Sequence, residues 1–155
     1  MSELKDKTSD KEGIGGWLVF VLLGLIVTPI RIGITLFTDF FPMVNDEFLM
    51  SIYPSLKAVI YTELIGNISF IIFAIVLLIL MLLKDRRFPK LMIIFYITNT
   101  IFVVGDAIYV SEVLDLEVLS GDDSSLKEIA RAVIGTFIWV PYLLMSTRVR
   151  LTFTK

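Results

Sequence analysis

The chain has 155 residues, 56% of them hydrophobic and 19% charged, with a mean hydropathy of +0.84; an ordinary water-soluble domain is about 25% charged. With no His and no Cys, it has no imidazole or thiolate metal ligand, no thiol nucleophile, no Ser-His-Asp triad and no disulfide. Fourteen Lys and Arg against sixteen Asp and Glu, with a pI near 5.1, exclude the basic surface that nucleic acid requires.

A bilayer core about 30 Å thick needs roughly 20 mostly apolar residues per helical crossing. Residues 1–12, MSELKDKTSDKE, are polar and of mixed sign and read as a tail. The first span is expected over about 14–36, uncharged from Gly13 to Ile30. It is too long for a signal-peptide core and no small-residue cleavage site follows it, so it reads as a permanent helix. The loop over 37–57 carries FFPMV and FLMSIYP, material for a short amphipathic helix lying at the outer interface.

The second span, about 58–83, is uncharged from Leu64 to Leu83 and is the cleanest of the set. A short basic loop leads to the third, about 91–111. The acidic loop over 112–128 follows, where Gly121 and then DDSSLKE read as a turn and an N-cap by Asp123, Ser124 or Ser125, with Glu128 in the first turn. Crowding of Asp122, Asp123 and Glu128 lacks the loop spacing of a calcium site. The fourth span runs over about 129–147. The expected fold is therefore an all-α integral membrane protein, a single four-transmembrane-helix bundle over residues 13–155.

Ten of the fourteen cations lie before span one, between spans two and three, or after span four. Because positive residues are retained on the cytoplasmic side, both termini are expected to be cytoplasmic with two acidic loops outside.

Four charges fall inside spans: Arg31, Glu63, Asp106 and Arg131. Such groups are costly and face the bundle interior. At 1.5 Å per residue, Arg31 and Asp106 lie roughly 22–26 Å from the inner ends of their spans. Glu63 and Arg131 sit within about two turns of the outer ends of theirs, which places all four in one layer of zero net charge. They read either as an internal network pairing each arginine with a carboxylate, or as the lining of a polar cavity open to the outside. Asn67 lies one turn deeper than Glu63, and Asn99 two turns deeper than Asp106. Both asparagines suit either reading, since Asn also joins helices within membranes. Tyr61, Tyr96 and Tyr109 can add hydrogen bonds, with interfacial anchoring expected of at least two of them. Pro29 and Pro141 are expected to kink spans one and four, since each lacks the donor an interior helical position supplies. Gly15, Gly16, Gly24 and Gly33 permit close approach along the first helix but form no GxxxG pair.

Ile14-Gly15-Gly16-Trp17-Leu18 with Pro29 and Arg31, and Ile138-Trp139-Val140-Pro141-Tyr142 leading into Ser146, Arg148-Val149-Arg150 and Thr152-Phe153, form an opening and a closing motif. Together they resemble the YdgK-like family of small bacterial inner-membrane proteins, a domain of unknown function. The resemblance implies a four-helix protein of the bacterial inner membrane and no activity, so no catalytic residue follows from it.

The functional expectation is a non-enzymatic membrane protein of structural, binding or accessory-subunit type, without cofactor or metal. Its partners would be the lipid bilayer and a membrane protein or second copy of itself. The alternative is a small transporter or channel using Glu63 and Asp106 in an outward-open cavity. A carboxylate dyad of the same two residues as an intramembrane enzyme is disfavoured, because arginine partners would hold both groups ionised.

Overall fold

The structure is a computed structural model that describes residues 13–52, 54–114 and 123–155. Helices cover Trp17–Thr35 (α1), Phe41–Asn45 (α2), Glu47–Ile52 (α3), Pro54–Leu82 (α4), Phe88–Leu114 (α5), Asp123–Met145 (α6) and Thr147–Thr152 (α7). Among the described residues, four helical stretches are long and apolar enough to cross a membrane: Trp17–Asn45, Ser55–Leu82, Phe88–Glu112 and Leu126–Met145. Their outward faces carry bare apolar side chains, such as Ile65 at 66%, Ile101 at 66% and Phe137 at 76% exposure. In water so large an apolar surface would drive association, whereas lipid accepts it and the helix satisfies its own backbone groups.

The helices exceed the expected spans. Helix α1 does not stop at residue 36 but passes through a π-helical stretch, Leu36–Phe40, into α2. The expected loop over 37–57 is thus mostly helical, and α4 already begins at Pro54. Helix α6 begins at Asp123, within the stretch Asp123 to Ser125 expected to start it, and carries Glu128 into the span expected from 129. Charged and polar residues extend each helix past its apolar stretch, because a hydropathy window registers lipid compatibility and not backbone conformation. Helices α1 and α6 run through Pro29 and Pro141 without interruption. The expected tail over residues 1–12 and the acidic loop over 115–122 lie outside the described residues.

Helix α1 packs on α4, α4 on α5, and α5 on α6. Between α1 and α6 the contacts include side chains at both ends: Trp17 and Trp139 meet edge-on with centroids 6.1 Å apart, and Arg31 reaches Glu128 at the other end.

The end of the bundle that holds Gly13 and the C-terminal segment is closed. Leu18, Leu77, Met81 and Phe88 are fully buried there, and Phe88 stacks on Phe153 at 4.5 Å. Helix α4 ends in a Schellman turn, with Asp85 N–H donating to the Leu80 carbonyl at 3.0 Å and Lys84 N–H to that of Met81 at 3.1 Å. Lys84 takes φ +56° to make it, a conformation that suits glycine better. The Asp85 carboxylate then accepts from Arg87 N–H at 2.7 Å and turns the chain into α5. Ser146 caps α7, its hydroxyl accepting from Val149 N–H at 3.4 Å. The C-terminal segment is tied in by Arg86 N–H to the Lys155 carbonyl at 2.9 Å, and by Thr152, whose hydroxyl lies 3.1 Å from both the N–H and the carbonyl of Gly13. Gly24 and Gly33 do not mediate close helix approach, for a side-chain carbon at either would meet open space.

Candidate functional site

The opposite half of the bundle encloses a cavity of about 440 Å³. Helix α1 contributes Thr28, Arg31 and Thr35 to it, and α4 contributes Glu63, Asn67 and Phe70. Helix α5 adds Asn99 and Asp106, and α6 adds Glu128, Arg131 and Gly135. Steps of three, four or seven residues keep each set on one face of its helix. The π-helical stretch alters that rhythm on α1. Its wider turn lets Phe40 take the next cavity position after Thr35, while Asp39 stays exposed.

All six residues singled out from the sequence, Arg31, Glu63, Asn67, Asn99, Asp106 and Arg131, therefore line one cavity. The expected pairing of arginines with Glu63 and Asp106 is not what the structure contains. Arg31 Nη2 instead donates to Glu128 Oε1 at 2.7 Å, bridging α1 to α6 with both side chains more than half exposed. The first turn of α6 explains this exchange, because Glu128 stands there three residues before Arg131, on the same helical face. Glu63 and Asp106 come close to one another across the α4–α5 interface. Asp106 Oδ1 is shielded and accepts no hydrogen bond from the described residues. Arg131 forms no hydrogen bond or ion pair among the described residues.

Two carboxyl groups brought together repel unless a proton or cation lies between them. Counted formally, the cavity holds three carboxyl groups and two guanidinium groups. The Arg31–Glu128 pair is self-neutralising, which leaves one exposed cation on α6 and a carboxyl pair between α4 and α5.

Below the charged layer the lining becomes amide and then aromatic. Asn67 and Asn99 come first, followed by Phe70 and Tyr96. Phe70 packs edge-on against Phe95 at 5.7 Å and tilted against Phe102 at 5.3 Å, which separates the cavity from the closed core. Gly66 makes room for this floor, since a Cβ there would overlap the Phe102 ring. Hydroxyls join α5 to α6 at the same depth. Thr136 donates to the Tyr96 carbonyl at 3.1 Å, and its oxygen lies 2.7 Å from that of Thr100. The single Thr100 proton is then shared between Thr136 and the Ala132 carbonyl, 3.2 Å away.

Glu128 and Tyr96 are among the lining residues that lie outside the candidate site read from the sequence. Glu128 ends the acidic stretch and sits in the first turn expected for α6, and its spacing to Arg131 and Gly135 marks one helical face. Tyr61 and Tyr109 are exposed and Tyr96 is not, a difference that the spacing of Tyr96 to Asn99 and Asp106 carries. Among the described residues no group of three or more acidic side chains is placed to hold a metal ion.

A helical bundle with four membrane-crossing stretches around a polar cavity belongs to the class of multi-pass membrane proteins. More particularly, the chain matches the family model described as "Protein of unknown function (DUF2569)" over residues 11–154, and it belongs to that family. No curated protein and no solved structure matches it.

Proposed function

We propose that this protein is a non-enzymatic membrane protein that binds a small polar solute in the cavity, acting as a binding or accessory subunit. The observation that carries this reading is that all four long helices place charged groups around one cavity while Arg131 has no partner among the described residues. A bundle needing charges only to fix helix register would pair them and fill the space. The cavity's volume falls within the roughly 300–1,000 Å³ of small-molecule sites. The distribution of Lys and Arg supports cytoplasmic termini, so the cavity would open on the outer side. The likeness of the two end motifs to the YdgK-like family supports the bacterial inner membrane as its location, with a membrane protein or second copy as partner.

The test is thermal unfolding of the purified protein in detergent with millimolar amino acids, sugars, polyols, organic cations and organic anions. A ligand at a hundred times its Kd stabilises by about 2.7 kcal/mol, so at least one class should raise the midpoint of the wild type and fail to do so for Arg131→Gln. A panel that leaves the wild type unmoved would refute solute binding.

The contact between Glu63 and Asp106 favours transport as a second reading, because a carboxyl pair can take up or release one proton as a ligand comes and goes. Flux of the stabilising solute into proteoliposomes, abolished by Glu63→Gln, is its signature. Binding without flux would leave the first reading alone.

A further inference from the structure

We infer that the solute is a small zwitterion with an apolar side group, its anionic end on Arg131 and its ammonium end on the Glu63–Asp106 pair. This inference rests on the binding reading above and deepens it. The charges left after Arg31 and Glu128 neutralise one another are of both signs and stand on different helices of the same cavity. A ligand that displaces water must satisfy both, since a desolvated charge without a partner is costly.

That requirement separates the ligand classes. A simple amine would satisfy the carboxyl pair and also meet the Arg131 guanidinium, which repels it and is left unpaired. A simple carboxylate would satisfy Arg131 and be repelled by Glu63 and Asp106. A sugar or polyol could hydrogen-bond to all three groups but would neutralise none. A zwitterion offers an acceptor fork for the planar guanidinium and donors for the accessible oxygens of the carboxyl pair. The aromatic surface of Phe70 and Tyr96 beneath the charged layer suits an apolar or aromatic side group.

The experiment compares three molecules of one shape on the wild-type protein in detergent by titration calorimetry. They are L-phenylalanine, 2-phenylethylamine, which lacks the carboxylate, and 3-phenylpropionate, which lacks the ammonium. L-Phenylalanine should bind at least tenfold more tightly than either half-molecule, because each lost contact is a charge-assisted one. Arg131→Gln should remove its advantage over the amine, and Glu63→Gln its advantage over the carboxylate, with Arg131→Lys restoring part of the first. The wild-type comparison stands even where a variant does not fold. If 2-phenylethylamine binds as well as L-phenylalanine, the cavity is a cation site and the inference fails, while solute binding stands. It fails in the same way if all three are inert and a sugar or polyol binds. If no solute of the broad panel binds, both readings fall together.

Discussion

The two halves of this bundle are built from the same four helices and solve opposite problems. Toward Gly13 and the C-terminal segment, Leu18, Leu77, Met81 and Phe88 are completely buried, and the connecting turns are stitched by backbone hydrogen bonds that reach Lys155. In the other half the helices turn carboxylates, guanidinium groups and amides onto a cavity of about 440 Å³. Lipid is as apolar as leucine, so helices within it associate through close packing and hydrogen bonds, not through hydrophobic exclusion. The closed half supplies that packing and the cavity half forgoes it. A polar void of this size persists where water or a ligand fills it, because charged walls cannot stay dry and unpaired. The closed half is thus the clamp, and the open half is the part left free to bind.

If that division holds, the largest loss of stability should come from the clamp. Phe88→Ala removes a fully buried ring stacked on Phe153 and should cost about 3–5 kcal/mol, the range for Phe to Ala in a core. Unfolding in detergent by added denaturant measures it. A loss under about 1 kcal/mol would mean that the C-terminal segment only rests on the bundle.

The boundary between the halves should be intermediate. Gly66→Ala drives a methyl group into the Phe102 ring of the cavity floor and should cost about 1–3 kcal/mol through overpacking. It should also weaken whatever solute the cavity binds, since Phe102 lines it. An unchanged midpoint together with unchanged binding would show that the ring can swing aside without touching the site. Thr136→Val, which deletes the α5–α6 hydroxyl link while keeping the shape, should cost about 0.6 kcal/mol and at most about 1.7, as for other hydrogen bonds between membrane helices.

The layout of the site was more legible than its wiring. Charges are rare enough in lipid-crossing stretches that Arg31, Glu63, Asp106 and Arg131 mark an interior face by their presence, and spacing brings Asn67 and Asn99 onto it. Which charge meets which depends on helix rotation and on where helices begin, and hydropathy does not report either. Glu128 illustrates the limit: its place in the first turn of α6 is legible, but its charge beside an acidic loop suggests solvent, and only helix rotation makes it a cavity residue and the partner of Arg31. The π-helical stretch was equally hidden, because Leu36 to Phe40 carries no glycine or proline to announce a change of pitch.

A comparably small effect, and the sharpest test of the division, belongs to Arg31 and Glu128. Their contact is short, 2.7 Å, yet both side chains are more than half exposed, at 53% and 56%. An ion pair in such surroundings loses most of its Coulomb energy to solvent screening and to the ordering of two long side chains. A double-mutant cycle of Arg31→Gln and Glu128→Gln in detergent should therefore give a coupling of about 1 kcal/mol or less, falling further as salt is raised. Each single substitution should also be mild, because the charge it leaves behind can still reach water. A coupling above about 3 kcal/mol, insensitive to salt, would place the pair in a dry environment, where breaking one partner strands the other. The mouth between α1 and α6 would then be sealed in the resting protein. The contrast between a closed clamp and an open cavity would have to give way to a bundle closed at both ends.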